Sequence, residues 1–238
     1  MIKTQSSKIF FSVAERLRSN FIFALLLSLS FISCESTKSA RLTWDENQLQ
    51  GKTIAVSKRP MPQFWIDTAA NTNFGGFVGA SAKVKEGEAI LRTNTIADPS
   101  DMIEASLIVD LVRMYPLSIV SSGPNVEGKV IWKTSKDVVT GYSNSDYVLD
   151  LNSYHFFVSS GAQFTDSSAL NYTVLANIID VSSKKSVSRS TCKYLTDTSI
   201  KRYSKSDFVA SGATILKAEI DLAIRQCVAQ FKADLIAK

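Results

Sequence analysis

Histidine is nearly absent from this chain: His155 stands alone among 238 residues. A metal centre built on paired His or His/Cys ligands therefore has no material, and no imidazole relay is evident. His155 itself is expected to be structural or exposed. The nucleophile elbow G-x-S-x-G is missing, and Gly75, Gly76 and Gly79 make neither a G-x-G-x-x-G nor a G-K-[ST] phosphate cradle. The S-x-x-K match from Ser182 to Lys185 falls in the turn-like "VSSKK", a solvated place where a lysine cannot be desolvated into a base. Carboxylates are scattered: Glu86 and Glu88, or Asp146 and Asp150, lie close in sequence, without a recognisable sugar-stacking frame around them. No catalytic residue, metal site or cofactor is assigned. Blocks of like charge and arginine-rich tracts are absent too, which removes the usual footprint of a nucleic-acid binder.

What is present begins with the apolar run "FIFALLLSLSFIS" at 21–33. It is too short for the roughly 20 residues that span a bilayer, and fits the core of a secretory signal. Lys3, Lys8, Arg16 and Arg18 precede it against a single acid, Glu15. Ser33 and Cys34 end it, and "SFISC" resembles a bacterial lipobox, with Phe31 and Ile32 bulkier than that pattern's usual residues. The resemblance implies a diacylglycerol on the Cys34 sulfur, cleavage before it and acylation of the new N-terminus. Several acyl chains hold a protein on a membrane where one binds only reversibly. A secretory signal cut elsewhere and an uncleaved anchor are the other two readings. Glu35, where enteric-type sorting would need aspartate for retention, favours the outer membrane.

The division expected is therefore a signal peptide at 1–33, a lipidated tether at 34–50 and a single domain at 51–238. The whole chain carries 27 basic and 22 acidic residues, but the leader takes four of the former and one of the latter. The remainder has 23 against 21, a net of +2, so the apparent basicity belongs to the leader. With Cys34 assigned to lipid, Cys192 and Cys227 remain in a compartment that permits disulfides. Cys227 belongs to the stripe Leu216, Ile220, Ala223, Cys227, Phe231, spaced as one helical face. If that face packs on the strand holding Cys192 the sulfurs can pair; otherwise they are two buried thiols.

Along the domain, "GKTIAV" reads as a first strand closed by Pro60 and Pro62, and "QFWID" as a second short strand or a loop. Phe74, Gly75, Gly76, Phe77 and Gly79 form an irregular stretch, read either as a loop entering an amphipathic helix at about 79–91 or as a contact segment for membrane or partner. "DPSDMIEASLIVDLVRMYP" is a helix capped by Asp98, opened by Pro99 and stopped by Pro116. Ser106, Asp110 and Arg113 would be its narrow polar stripe, leaving most of the helix buried. "LSIVSSG" follows as a strand. In "SDYVLDLNSYHFFVSSG" the apolar phase shifts from Tyr147, Leu149 and Leu151 to Tyr154, Phe156 and Val158, which predicts a bulge near Asn152. A hairpin turning near 183–185 comes next, then a final helix over about 206–237, with Gly212 as a possible later start. The tryptophans Trp44, Trp65 and Trp132, and Phe156, Phe157 and Phe208, read as core packing.

These elements give an α/β (α+β-like) two-layer sandwich: a mixed sheet of about five strands with a buried helix and a long C-terminal helix on one face. The order carried by "GKTIAV", "DPSDMIEASLIVDLVRMYPLSIVSS", "SDYVLDL", "NYTVLANIIDVSSKKSVSRS" and "KAEIDLAIRQCVAQF" resembles a group of periplasmic lipoproteins. These are the curli secretion channel subunit, the N-terminal domain of the Tol-Pal β-propeller protein and the activators of penicillin-binding proteins. The resemblance implies a compact domain that works by protein contact in envelope assembly, and it transfers no functional residue. The expected partners are thus the membrane, through acyl chains on Cys34, and another envelope protein. A peptidoglycan hydrolase and a carrier of small ligands or lipids are the alternatives.

Overall fold

The computed structural model describes residues 50–67, 76–120, 135–160 and 167–236. Cys34, the tether, Trp44, Trp132, Phe74 and Gly75 lie outside them. Every described residue belongs to one unit, Ser39–Lys238.

Six strands form one mixed sheet: β1 (Thr53–Val56), β2 (Trp65–Ile66), β3 (Ser118–Ile119), β4 (Tyr147–Ser160), β5 (Ser168–Asp180) and β6 (Lys185–Leu195). Their order is β3-β1-β4-β5-β6, with β2 also paired to β4. β1 runs parallel to β3 and β4, β2 runs parallel to β4, and β4, β5 and β6 are antiparallel. Among the described residues four helices accompany them: α1 (Gly76–Thr93), α2 (Pro99–Met114), α3 (Ser135–Val139) and α4 (Lys205–Phe231), with one wider turn at Lys232–Ile236. Helix α1 thus starts three residues before the expected 79, and Gly76, Phe77 and Gly79 lie in its first turn.

The expected bulge is present. The β4–β5 register shifts between Ser153 and His155. Its effect is to keep one face apolar across the phase change: Leu149 and Leu151 before it, Phe156 and Val158 after it, all join the main core. Tyr154 does not follow them; it is half-buried, with its hydroxyl beside Arg189 and Thr191. On β5 the partners are Leu170, Tyr172, Val174, Ala176 and Ile178, and the Tyr172 hydroxyl meets Ser153 Oγ at 2.8 Å.

Helices α2 and α4 cover this face. Asp98 Oδ1 accepts the Ser100 N–H at 2.8 Å, Pro99 opens α2, and Tyr115 N–H closes it on the Leu111 carbonyl before Pro116. Ile103, Leu107 and Leu111 point inward. Helix α4 starts in a reciprocal cap between Ser204 and Asp207 and buries Leu216, Ile220, Ala223, Cys227 and Phe231, the stripe read from the sequence. Cys227 and Cys192 are joined as a disulfide, both fully buried. Near its start α4 is broken: Ser211, Gly212 and Ala213 all take left-handed backbone angles, with φ of 52°, 70° and 57°. This marks the later helix start suggested by Gly212, and it seats Phe208 in the core. On the sheet's other face α3 covers a smaller cluster of Ala55, Val138, Val139, Tyr142, Val148 and Ile179.

The two sheet edges are treated differently. Gln226 and Gln230 of α4 donate to the carbonyls of Lys193 and Thr191 on β6, at 3.1 and 2.9 Å. That edge is therefore covered by side chains. The opposite edge, β3, is two residues long and both are exposed.

Candidate functional site

Helix α2 is apolar on two faces, and only one of them is buried. Met102 is 52% and Val109 62% exposed, Ala105 lies between them, and Met114 and Ile119 of β3 are exposed as well. Residues 102, 105 and 109 are spaced three and four apart, so they share one outward stripe. This corrects the sequence reading. Asp110, expected on a solvated stripe, is buried, and Ser106 Oγ turns back to the Met102 carbonyl at 3.0 Å. Arg113 is exposed as expected, and the outward surface is shared by it, Asp101 and the apolar residues.

Ion pairs border the stripe on both sides. Lys58 Nζ lies 2.7 Å from Glu104 Oε1. Burial lifts the Glu104 carboxyl above its ordinary range, against the pull of Lys58, while the bond to Glu104 raises the Lys58 ammonium. On the other side Asp110 is gripped by Arg113 Nη2 at 2.7 Å and by Lys232 Nζ at 2.5 Å. An apolar centre with a charged rim is the anatomy of a protein contact surface.

A concavity of about 480 Å³ lies beside the end of α1. Met61, Pro62, Leu91 and Ile96 form its apolar wall, with Glu88 and Arg92 also lining it. Its volume passes the several hundred Å³ that a small-ligand site needs. Glu88 and Arg92 lie 4.0 Å apart, the first half-buried and the second exposed, so the space is a groove open to solvent.

The residues singled out for chemistry are not brought together. His155 is exposed, edge-on to Tyr154 and Phe157 with ring centres 6.3 and 6.0 Å away. Ser182 sits in the hairpin turn bonded to Asp180, and Lys185 is exposed. Asp146 is held by Lys52 at 2.9 Å, and Asp150 by Arg59 at 2.6 Å. Phe156 and Phe208 are core residues, whereas Phe157 is half-buried and stacks on Trp65 at 4.1 Å. Asp98 and Glu104 are raised by burial, but the first caps α2 and the second pairs with Lys58. Among the described residues no three His, Cys, Asp or Glu side chains gather as metal ligands, and no helix is long and apolar enough to cross a membrane. Gly79 of the irregular stretch is buried within α1.

Neither a family model nor a curated protein matches the sequence. Among solved structures, the chain is similar to the hypothetical protein CT253 of Chlamydia trachomatis, at 11% identity and a TM-score of 0.32, over 79% of this chain and 99% of that one. The PelC dodecamer subunit of Paraburkholderia phytofirmans matches at 17% identity and 0.33, over 79% and 90%. Lipoprotein GNA1162 of Neisseria meningitidis matches at 10% and 0.25, over 73% and 98%. At these scores the likenesses carry no functional assignment.

Proposed function

We propose that this chain is a lipid-anchored protein of the bacterial cell envelope, held at the outer membrane by acyl chains on Cys34, and that its domain acts without catalysis by docking another envelope protein. The observation that carries the docking is the outward stripe of Met102, Ala105 and Val109 on α2. The partner's matching surface is apolar at its centre, with polar groups facing the Lys58–Glu104 and Arg113–Asp110–Lys232 pairs. The anchor itself is supported by the sequence around Cys34.

The test is a photo-crosslinking residue placed at position 109 of the full chain in its own cells, against the same residue at exposed position 184. A discrete adduct from 109 alone, lost when Met102→Lys is added, supports the reading. Equal or absent labelling from both positions removes it. Mass spectrometry of the native protein tests the anchor separately, through the mass of lipid on the Cys34 peptide.

A further inference from the structure

A different surface lies at the far end of β6 from the hairpin turn, and its design points to lipid. The connection from β6 to α4 displays Ile200 at 79% exposure, the most exposed large apolar side chain among the described residues. Leu195 before it and Val209 after it are exposed too. Exposure alone would mean little on a floppy loop, but this one is fixed. The Asp197 carboxylate accepts from Ser199 N–H at 2.9 Å and its hydroxyl at 2.5 Å, and the Asp197 carbonyl accepts from Lys201 N–H at 2.9 Å. Lys201 is anchored on the buried Glu219 at 2.7 Å, and the Tyr203 carbonyl accepts the Ser168 N–H at 2.6 Å. Ile200 is held out into solvent by a turn whose polar groups are spent internally.

The cations around it outnumber the acids by one: Lys193, Lys201, Arg202 and Lys205 against Asp197, Asp207 and Glu219. Asp197 is committed to the turn, Asp207 to the α4 cap and Glu219 to Lys201, Tyr194 and Thr196. Lys193, Arg202 and Lys205 enter no ion pair among the described residues. A rigid apolar tip with the unpaired cations Arg202 and Lys205 close by in the same connection suits the interface of a bilayer carrying anionic headgroups. The side chain enters the acyl boundary while lysine and arginine reach the phosphates.

We propose that the 195–205 turn is a membrane-contact site for anionic phospholipid, with Ile200 as the inserted residue and Arg202 and Lys205 as headgroup contacts. The proposal rests on the Cys34 anchor, because a single inserted side chain binds too weakly to hold a domain at a surface by itself. The seventeen residues from Cys34 to Gln50 reach up to about 60 Å, so the tether permits either end of the sheet to face the bilayer. The turn would make that choice.

The test uses the native lipidated protein carrying Ile200→Cys, labelled there with an environment-sensitive fluorophore. Reconstitution is into phosphatidylethanolamine–phosphatidylglycerol vesicles with brominated chains, and Ser183→Cys in the hairpin turn at the other end of β6 is the control. The expected result is a blue shift and quenching at 200, neither at 183. Both are lost on adding Arg202→Glu with Lys205→Glu, and weakened by salt or by phosphatidylcholine alone. Vesicle-bound protein with equal, water-like emission at both positions overturns the proposal and leaves the anchor standing. Protein that does not sediment with vesicles at all overturns the anchor and the proposal together. A shift at 200 only when envelope proteins are added overturns it in favour of a protein contact.

Discussion

Arg59 clasps Asp150 with two parallel hydrogen bonds, Nε to Oδ1 at 2.6 Å and Nη2 to Oδ2 at 2.8 Å, across 91 positions of sequence. Both side chains are nearly excluded from water, at 5% and 4% exposure, and Ser57 Oγ adds a third donor at 2.5 Å. Removing one member of such a pair strands the other's charge, which costs about 3–5 kcal/mol. Arg59→Ala is therefore expected to lower the urea midpoint sharply. Arg59→Met combined with Asp150→Leu should recover most of the loss, since the desolvation cost goes with the charges. If the single variant unfolds at the wild-type midpoint, the pair contributes nothing.

That pair also shows where sequence reading stops. The caps of α2, Pro116 and the α4 stripe were legible because their signals lie within a few residues of one another and follow helical geometry. The β4 bulge was legible because an apolar phase change is itself local. Arg59 with Asp150, and Lys201 with Glu219, are brought together by sheet pairing and helix packing, for which adjacent residues carry no signal. The outward stripe of α2 was misread for another reason. Val109 and Leu107 are both apolar, and periodicity cannot say which of two apolar faces has the sheet behind it.

Gly87 of α1 sits against the chain between β1 and β2. A Cβ there would lie 2.3 Å from the Phe64 carbonyl oxygen and 2.9 Å from Trp65 Cα, both backbone atoms that cannot swing aside. On an open helix surface Gly→Ala stabilises by up to about 1 kcal/mol. Here overpacking, at about 1–3 kcal/mol, should reverse the sign. Gly87→Ala is expected to lower Tm by several degrees, at about 2–4 °C per kcal/mol for a domain of this size. A raised Tm would mean that α1 does not pack this closely.

Removing the disulfide tests the packing of α4 on β6. Cys192 and Cys227 are 35 residues apart, and opening a loop of that length costs about 3–4 kcal/mol by chain entropy. Cys192→Ala with Cys227→Ala should still fold around the same stripe, with a correspondingly lower denaturation midpoint. Because both cysteines are fully buried, reductant and alkylating reagent should label them in the native protein only as fast as it unfolds. Rapid labelling under native conditions would contradict that placement.

Glu219 makes stability depend on pH at both ends of the range. Burial pushes its carboxyl up, but the Lys201 ammonium at 2.7 Å and the hydroxyls of Tyr194 and Thr196 at 2.6 and 2.8 Å outweigh it, leaving it below the ordinary 4.5. A depressed acid supplies stability that is present above pH 4.5 and is lost as pH falls through the lower folded-state value. Tyr194 moves the other way, raised from 10.0 by burial and by its bond to Glu219. Its share is present below pH 10 and disappears as pH rises beyond. Glu219→Gln should flatten both flanks of the stability profile. Identical acid limbs for Glu219→Gln and wild type would show that other carboxylates set the acid transition.

The left-handed turn inside α4 makes its own prediction, with opposite signs at adjacent residues. Ser211, at φ 52°, is exposed and pays for a conformation that glycine adopts freely, about 1–2 kcal/mol before unfolded-state entropy takes part of it back. Ser211→Gly should therefore be neutral to slightly stabilising. Gly212, at φ 70°, has room for a side chain, since the nearest atom to an added Cβ is Asn94 Oδ1 at 3.8 Å. Any cost of Gly212→Ala is then conformational rather than steric, and a loss of about 1–2 kcal/mol is expected. Were α4 instead a continuous right-handed helix through this point, the order would invert. Alanine at 212 would stabilise and glycine at 211 would destabilise, each by up to about 1 kcal/mol. Thermal denaturation of the two variants side by side separates the cases, because no single change in packing produces that reversal.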